Sequence, residues 1–344
     1  MKEQNRSIKV SFFKKIFIKI CRMLGFEIID QSNFYVPTQE KFVNDNLNIQ
    51  GKKSINLPLG ETKISRKVNA LTVIFRSCTN INMLTQNKKR LFEKDKCEYT
   101  FRSLNSIIVS LNKAQNTFPK INFEIVVIDY KSKNNHLELI KKQLDKSNSK
   151  HSVISLNVNE FSDGIEKINE KKEKVTENQI SNMSNIHKSL LLAQNQCDDL
   201  VYFVEDDYIH EKDAISEMIF TYERLSSQLN RELILCPADY PYLYTKVEQT
   251  NIFLGSDKHW RRVDETLCTF LTSKIILQKY WGKFTKMCQF EHYPFEKPLH
   301  EIYKSEYCLS PIPSLAIHCT NINSIFGLSP NTDWKKLWEE NKVN

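Results

Sequence analysis

Glycine is scarce, with 7 among 344 residues. Neither a G-x-G-x-x-G stretch nor a P-loop occurs, so any phosphate would have to be held by a metal ion, cationic side chains or helix N-termini. No apolar run approaches the ~20 residues that cross a bilayer. The first residues also lack the long apolar stretch and small-residue cleavage site of a secretion signal. The nine cysteines are odd in number and show no C-x-x-C pair, and Cys21, Cys236 and Cys268 sit inside apolar runs. This is the usage of reduced, buried thiols in a cytosolic protein, not of a disulfide frame or a zinc site. The net charge of +8 is concentrated in the first 25 residues and in Asn/Lys-rich loops. That is the distribution of a solvated surface, and no nucleic-acid partner is expected.

What is present suffices for a sizeable core, since 40% of the residues are hydrophobic. Residues 8–24 have the spacing of a basic amphipathic helix. Ser11, Lys14, Lys15, Lys19 and Arg22 gather on one side, with Phe12, Phe13, Ile16, Phe17, Ile20 and Leu24 on the others. Such a helix either lies on an anionic membrane surface or docks on its own domain. Residues 25–66 read as an extended linker, with Pro58, Gly60 and the polar run from Gly51. The expected division is therefore an N-terminal helix and linker over 1–66 and one larger domain over 67–344.

Within that domain, short β-branched runs alternate with helical spacing. Ala70–Phe75, Phe123–Ile128, Ser152–Val158, Leu200–Val204 and Glu232–Pro237 read as strands. Tyr99–Ala114, His136–Leu144, Asn185–Gln196, Ala214–Leu225 and Ser273–Trp281 read as helices. The polar stretch 159–183 reads as a loop or a solvated helix. The alternation predicts an α/β fold, Rossmann-like, with a mostly parallel sheet flanked by helices.

The run Leu200–Val204 ends in Glu205, Asp206 and Asp207. Three carboxylates at the carboxyl end of a buried strand repel one another, and they lie where open α/β sheets bind ligands. Hard oxygen donors of this kind suit Mg²⁺ or Mn²⁺, and a divalent ion there can hold a diphosphate.

The order Arg76, Asp129, Asn185/Lys188, Glu205-Asp206-Asp207 and a late His318 resembles the nucleotide-sugar glycosyltransferases of the GT-A fold, in particular glycosyltransferase family 2, over roughly residues 67–330. Val126 to Ser132 (Val-Val-Ile-Asp-Tyr-Lys-Ser) is similar to that family's "VVDDGS" strand end, and Phe203-Val204-Glu205-Asp206-Asp207 to its "D-x-D" strand. Two features depart from the pattern. No Arg-Asn precedes the acidic strand, although Asn185-Ile186-His187-Lys188 occupies a comparable helix, and the usual Glu-Asp acceptor motif is missing.

The resemblance implies a metal-dependent transfer from a UDP- or GDP-sugar to a glycan or lipid-linked acceptor at the cytosolic membrane face. Asp207 and His318 would hold Mn²⁺ or Mg²⁺. Arg76, Asp129, Asn185, Lys188, Glu205 and Asp206 would contact the nucleotide, Trp260 would stack on a sugar, and Arg261 would pair with a phosphate. Glu296, Glu301, Asp264 and Glu265 fall in the window for a catalytic base, and Glu301 is the first choice, with Asp239 as a second catalytic carboxylate. The residues leave open a metal-dependent phosphohydrolase, a pyrophosphorylase and a non-catalytic membrane-associated interaction protein.

Overall fold

A computed structural model describes residues 12–26, 63–80, 90–168, 172–245, 249–290 and 295–343. The chain divides into two units, Met1–Glu61 and Thr62–Asn344. In the first unit, helix α1 spans Phe12–Met23. It closes in a Schellman cap on Gly25 (φ +84°), with Gly25 N–H donating to Arg22 O and Phe26 N–H to Cys21 O. The expected start of this helix at 8–11 and the expected linker over 27–62 lie outside the described residues.

The second unit runs β1 (Ala70–Ser77), α2 (Lys96–Thr117), β2 (Asn122–Asp129), α3 (Asn134–Leu144), β3 (Lys150–Ser155), α4 (Glu177–Gln196), β4 (Leu200–Glu205) and β5 (Tyr208–His210). It continues through α5 (Ala214–Leu229), β6 (Leu233–Leu235), β7 (Ile252–Leu254), β8 (His259–Val263), β9 (Phe270–Ser273), α6 (Lys274–Lys279) and α7 (Trp281–Lys286). The remaining elements are α8 (Lys297–Tyr303), β10 (Tyr307–Ile312), β11 (Ala316–His318) and α9 (Trp334–Glu340). No helix among the described residues is long and apolar enough to cross a membrane.

Among the described residues, nine strands form one sheet in the order β3-β2-β1-β4-β9-β6-β10-β8-β7. The first four are mutually parallel, β9 and β8 run against their neighbours, and β6 and β10 pair parallel. The α/β architecture is therefore the expected one, a largely parallel sheet between helices. Alternate residues of each strand feed two cores. Leu71, Val73 and Phe75 of β1 pack with residues of α2 and α5, whereas Ile74 packs with residues of α4.

Several elements differ from the sequence reading. Helix α4 begins at Glu177, inside the polar stretch 159–183. Its start is a capping box between Thr176 and Gln179, a T-x-x-Q signal that satisfies two end groups at once. The expected helix 273–281 breaks at Tyr280 into α6 and α7. Trp260 and Arg261, expected to meet a sugar and a phosphate, both enter strand β8.

Candidate active site

The chain leaves β1 to build β2 and β3 on one side and returns to place β4 on the other. This reversal opens a crevice at the carboxyl ends of β1 and β4. The register sets Arg76 opposite Glu205 and Ser77 opposite Asp129. A cleft of about 300 Å³ lies there, lined by Arg76, Lys96, Glu205, Asp206, Asp207 and His318 among others.

Each acid of the triplet has a cationic partner. Arg76 Nη2 meets Glu205 Oε1 at 2.8 Å. Lys96 pairs with Asp206, whose other oxygen accepts from Thr100 Oγ1 at 2.8 Å and from the Cys78 N–H at 3.2 Å. Arg90 Nη2 meets Asp207 Oδ2 at 2.9 Å. Three carboxylates in a partly dry cleft are tolerable because their charge is matched in this way.

The histidine arrives on a separate two-stranded ribbon in which β11 pairs antiparallel with β5, His318 opposite Tyr208. Its ring stacks on Tyr208 with centroids 4.4 Å apart. Nδ1 donates to the Phe326 carbonyl at 2.8 Å, which turns Nε2 toward Asp207 Oδ1 at 3.5 Å. Burial alone would raise the Asp207 carboxyl, but His318, Lys96 and Arg90 outweigh it and hold that carboxyl well below the usual range. Burial alone would likewise lower His318, yet Asp207, Glu205 and the Phe326 carbonyl raise it above its ordinary value.

Asn178, Ser181, Asn182 and Asn185 of α4 form a polar wall of the cleft. Asn182 Oδ1 accepts from Arg76 at 3.2 Å. Asn185 donates to the Ile128 carbonyl at 3.3 Å, while its buried Oδ1 has no partner. Such an acceptor awaits a donor from a ligand or a water.

Of the residues singled out in the sequence, the fold thus gathers Arg76, Asn185, Glu205, Asp206, Asp207 and His318 around one cleft. It does not bring the others there. Asp129 is buried and does not line the cleft; its oxygens accept from Ser77 Oγ at 2.7 Å and from the Ser132 N–H at 3.1 Å. Lys188 points to Glu160 at 3.8 Å. Trp260 is fully buried, and its Nε1–H donates to Glu217 Oε1 at 3.1 Å, so no sugar can stack on it. Asp239 and Arg261 pair with each other in the interior, closed over by Tyr244. Glu301 is exposed and faces Lys283 at 3.8 Å.

The residue in that stretch that does line the cleft is Glu296, largely buried at the N-cap of α8. Pro298 in the first turn marks this helix start in the sequence, a signal that separates Glu296 from Glu301. Arg90, Lys96 and Thr100 escaped sequence reading because they lie in or beside a basic loop. The need of a buried acid triplet for cations was the signal for them.

No family model matches the sequence, and no curated protein matches it. Solved structures with which it shares an outline include S. aureus TarS in complex with UDP, at 17% identity and TM-score 0.34, covering 63% of this chain and 54% of that one. Another is galactosyltransferase LgtC in complex with donor and acceptor sugar analogs (11%, TM-score 0.35, 67% and 70%). A third is UDP-glucose pyrophosphorylase complexed with UDP-glucose (6%, TM-score 0.35, 75% and 96%). The chain spans 29% of one TarS structure and 48% and 54% of two shorter ones. Likeness at this level leaves the function to be argued from the cleft.

Proposed function

We propose that the protein is a nucleotide-sugar glycosyltransferase assisted by a divalent cation, with the donor diphosphate seated in the cleft at Glu205-Asp206-Asp207. The observation that supports it most is the Asp207–His318 pair at the topological switch point of the sheet. A diphosphate brings at least two negative charges into a cleft where Arg76, Lys96 and Arg90 are already matched by carboxylates. An added cation restores the balance. Among the described residues no three His, Cys, Asp or Glu side chains converge on one point, but Asp207 Oδ1 and His318 Nε2 offer one oxygen and one nitrogen donor side by side. Mg²⁺ and Mn²⁺ sites of phosphate-handling proteins often take few protein ligands and complete their shell with phosphate and water, so the residues fit. Bound there, the ion would serve as a Lewis acid for the leaving diphosphate.

The chain's own groups supply the rest. Arg90 and Lys96 stand beside the leaving group and stabilise its growing charge. Asn185 Oδ1 accepts an N–H or O–H of the nucleoside. Glu296 replaces Glu301 as the base: it takes the proton of the acceptor hydroxyl as that oxygen bonds to the sugar's anomeric carbon and the bond to the diphosphate breaks. The acceptor would be a glycan or a lipid-linked saccharide. Titration calorimetry with UDP, GDP and CDP, with Mn²⁺ and with chelator, tests this reading. Binding of at least one of them with Mn²⁺ is expected, and binding of none would overturn it.

The same reading extends to α1 as an anchor on an anionic membrane surface. Phe13 and Met23 are 80% exposed and Phe12 is 72% exposed, the described residues 12–26 include no acid, and Arg22 lies opposite Phe13 with Lys19 at the edge of the apolar arc. Flotation with vesicles containing phosphatidylserine should carry the full chain and leave a variant lacking residues 1–26 in the dense fraction. Equal flotation of both would refute the anchor.

A further inference from the structure

Behind the cleft lies a third, small core made of Leu91, Tyr99, Ile209, Ile317, Cys319, Leu337 and Trp338. Its members neighbour the residues that hold the acid pair. Leu91 follows Arg90, Tyr99 precedes Thr100 and lies three residues after Lys96, and Ile317 and Cys319 flank His318. Ile209 lies two residues beyond Asp207. Helix α9 supplies part of the wall of this core, and none of its residues lines the cleft.

Trp338 is the centre of that wall. Its ring stacks on Phe92 at 3.9 Å and 17° and meets Tyr99 edge-on at 5.1 Å. The Arg102 guanidinium lies 4.2 Å over the same ring and donates to the Trp338 carbonyl. Tyr99 in turn carries Arg90 over its face at 5.0 Å, and its hydroxyl donates to Leu91 O. Phe92 and Glu93 hold φ of +72° and +47°, a left-handed conformation that costs of order 1 kcal/mol or more per residue and persists only where packing enforces it. Phe92 packs face to face on Trp338 and edge-on against Trp334 at 5.4 Å; the stack on Trp338 is the closer of the two, and the strained turn it supports leads directly out of Arg90.

We infer that Trp338 is a positioning residue for Arg90, and through Arg90 for the carboxylate of Asp207, so that helix α9 sets donor affinity from outside the cleft. This rests on the nucleotide reading given above. Loss of the ring loosens the turn at Phe92, and Arg90 then weakens its hold on Asp207 Oδ2 and on the Cys319 carbonyl at 2.8 Å. A phenylalanine preserves the stack on Phe92 and with it the placement.

Two measurements on the full-length protein decide the matter. Calorimetry with UDP and Mn²⁺ on Trp338→Ala, Trp338→Phe, Arg90→Ala and the Trp338→Ala/Arg90→Ala double variant forms the cycle. Trp338→Ala is expected to weaken binding about tenfold, Trp338→Phe by less than about twofold, and Trp338→Ala in the Arg90→Ala background by less than about twofold. Equal losses from Trp338→Ala in both backgrounds, or a lowered melting temperature with unchanged affinity, would mean a purely structural role and overturn the inference. Hydrogen exchange needs no ligand. Trp338→Ala should speed exchange of the Leu91 and Cys319 amides, which are bonded to Thr320 O and Asp207 O, and leave β1 and β2 protected. Unchanged exchange at those amides would overturn the inference even if no nucleotide bound. Faster exchange without nucleotide binding by the wild type would retain the clamp and remove the donor reading.

Discussion

Arg76 and Glu205 are register partners on adjacent parallel strands, and their side chains close an ion pair of 2.8 Å across the β1–β4 crevice. Arg76 is 7% exposed and Glu205 26%. The guanidinium thus depends on its partner more than the carboxylate does, since the carboxylate still reaches water.

Replacing Glu205 by Ala should therefore destabilise the fold by about 3 kcal/mol or more, because it strips a buried cation of its ion-pair partner and leaves the Asn182 oxygen as its hydrogen-bond acceptor. The Arg76→Met/Glu205→Ala double variant should recover most of that loss in urea denaturation. A double variant no more stable than the single one would show that the pair is not the controlling interaction.

Glu296→Gln should lower turnover by about 10²- to 10⁴-fold with nucleotide affinity retained, the mark of a lost general base. Glu301→Gln should leave turnover within about twofold, because Glu301 lies on the solvent face of α8. Steady-state rates with a competent donor and acceptor check both.

Trp260→Ala should cost about 3–5 kcal/mol of stability, the usual loss for a fully buried indole. Gly255→Ala should also destabilise, since a Cβ there would stand 2.5 Å from Trp260 Nε1 and would collide with Glu217 and Thr221. In both variants the affinity for nucleotide should be unchanged at a temperature where they are folded. A selective loss of affinity would return Trp260 to the donor site.

The site was legible in the sequence where it depends on strand ends. Uninterrupted apolar runs identified β1, β2 and β4, and the switch-point rule alone brings Arg76 and Glu205-Asp206-Asp207 to one crevice. His318 was legible only through its place, late in the order of residues that carries the resemblance. What escaped depends on tertiary burial. Trp260-Arg261 carries the residue types of a sugar and phosphate site, yet it lies in strand β8 with both side chains buried. Glu296 and Glu301 are chemically alike and five residues apart, and only the direction of α8 turns one into the cleft and the other to solvent. Arg90 and Lys96 find their acids more than a hundred residues away.

His210, fully buried with Nε2 2.5 Å from the Tyr202 hydroxyl, is pushed down to about 3 by desolvation. Its ordinary value is 6.5, so between these values the unfolded chain binds a proton that the folded chain refuses. Stability should therefore be complete above pH 6.5 and fall as the pH drops toward 3, by up to about 1.4 kcal/mol per pH unit from this group. His210→Phe should flatten that part of the profile in denaturation series at pH 7, 6, 5 and 4. An unchanged slope would assign the acid lability to other groups.

The Asp207–His318 pair can be tested most directly by calorimetry of UDP and GDP binding with Mn²⁺ on wild type, Asp207→Ala, His318→Ala and the double variant. Wild type should bind at least one of the two only with Mn²⁺. Each single variant should lose at least about tenfold, and the double variant little more than either, as for two donors to one ion. Nucleotide binding that is independent of Mn²⁺ and indifferent to Asp207→Ala would contradict the account.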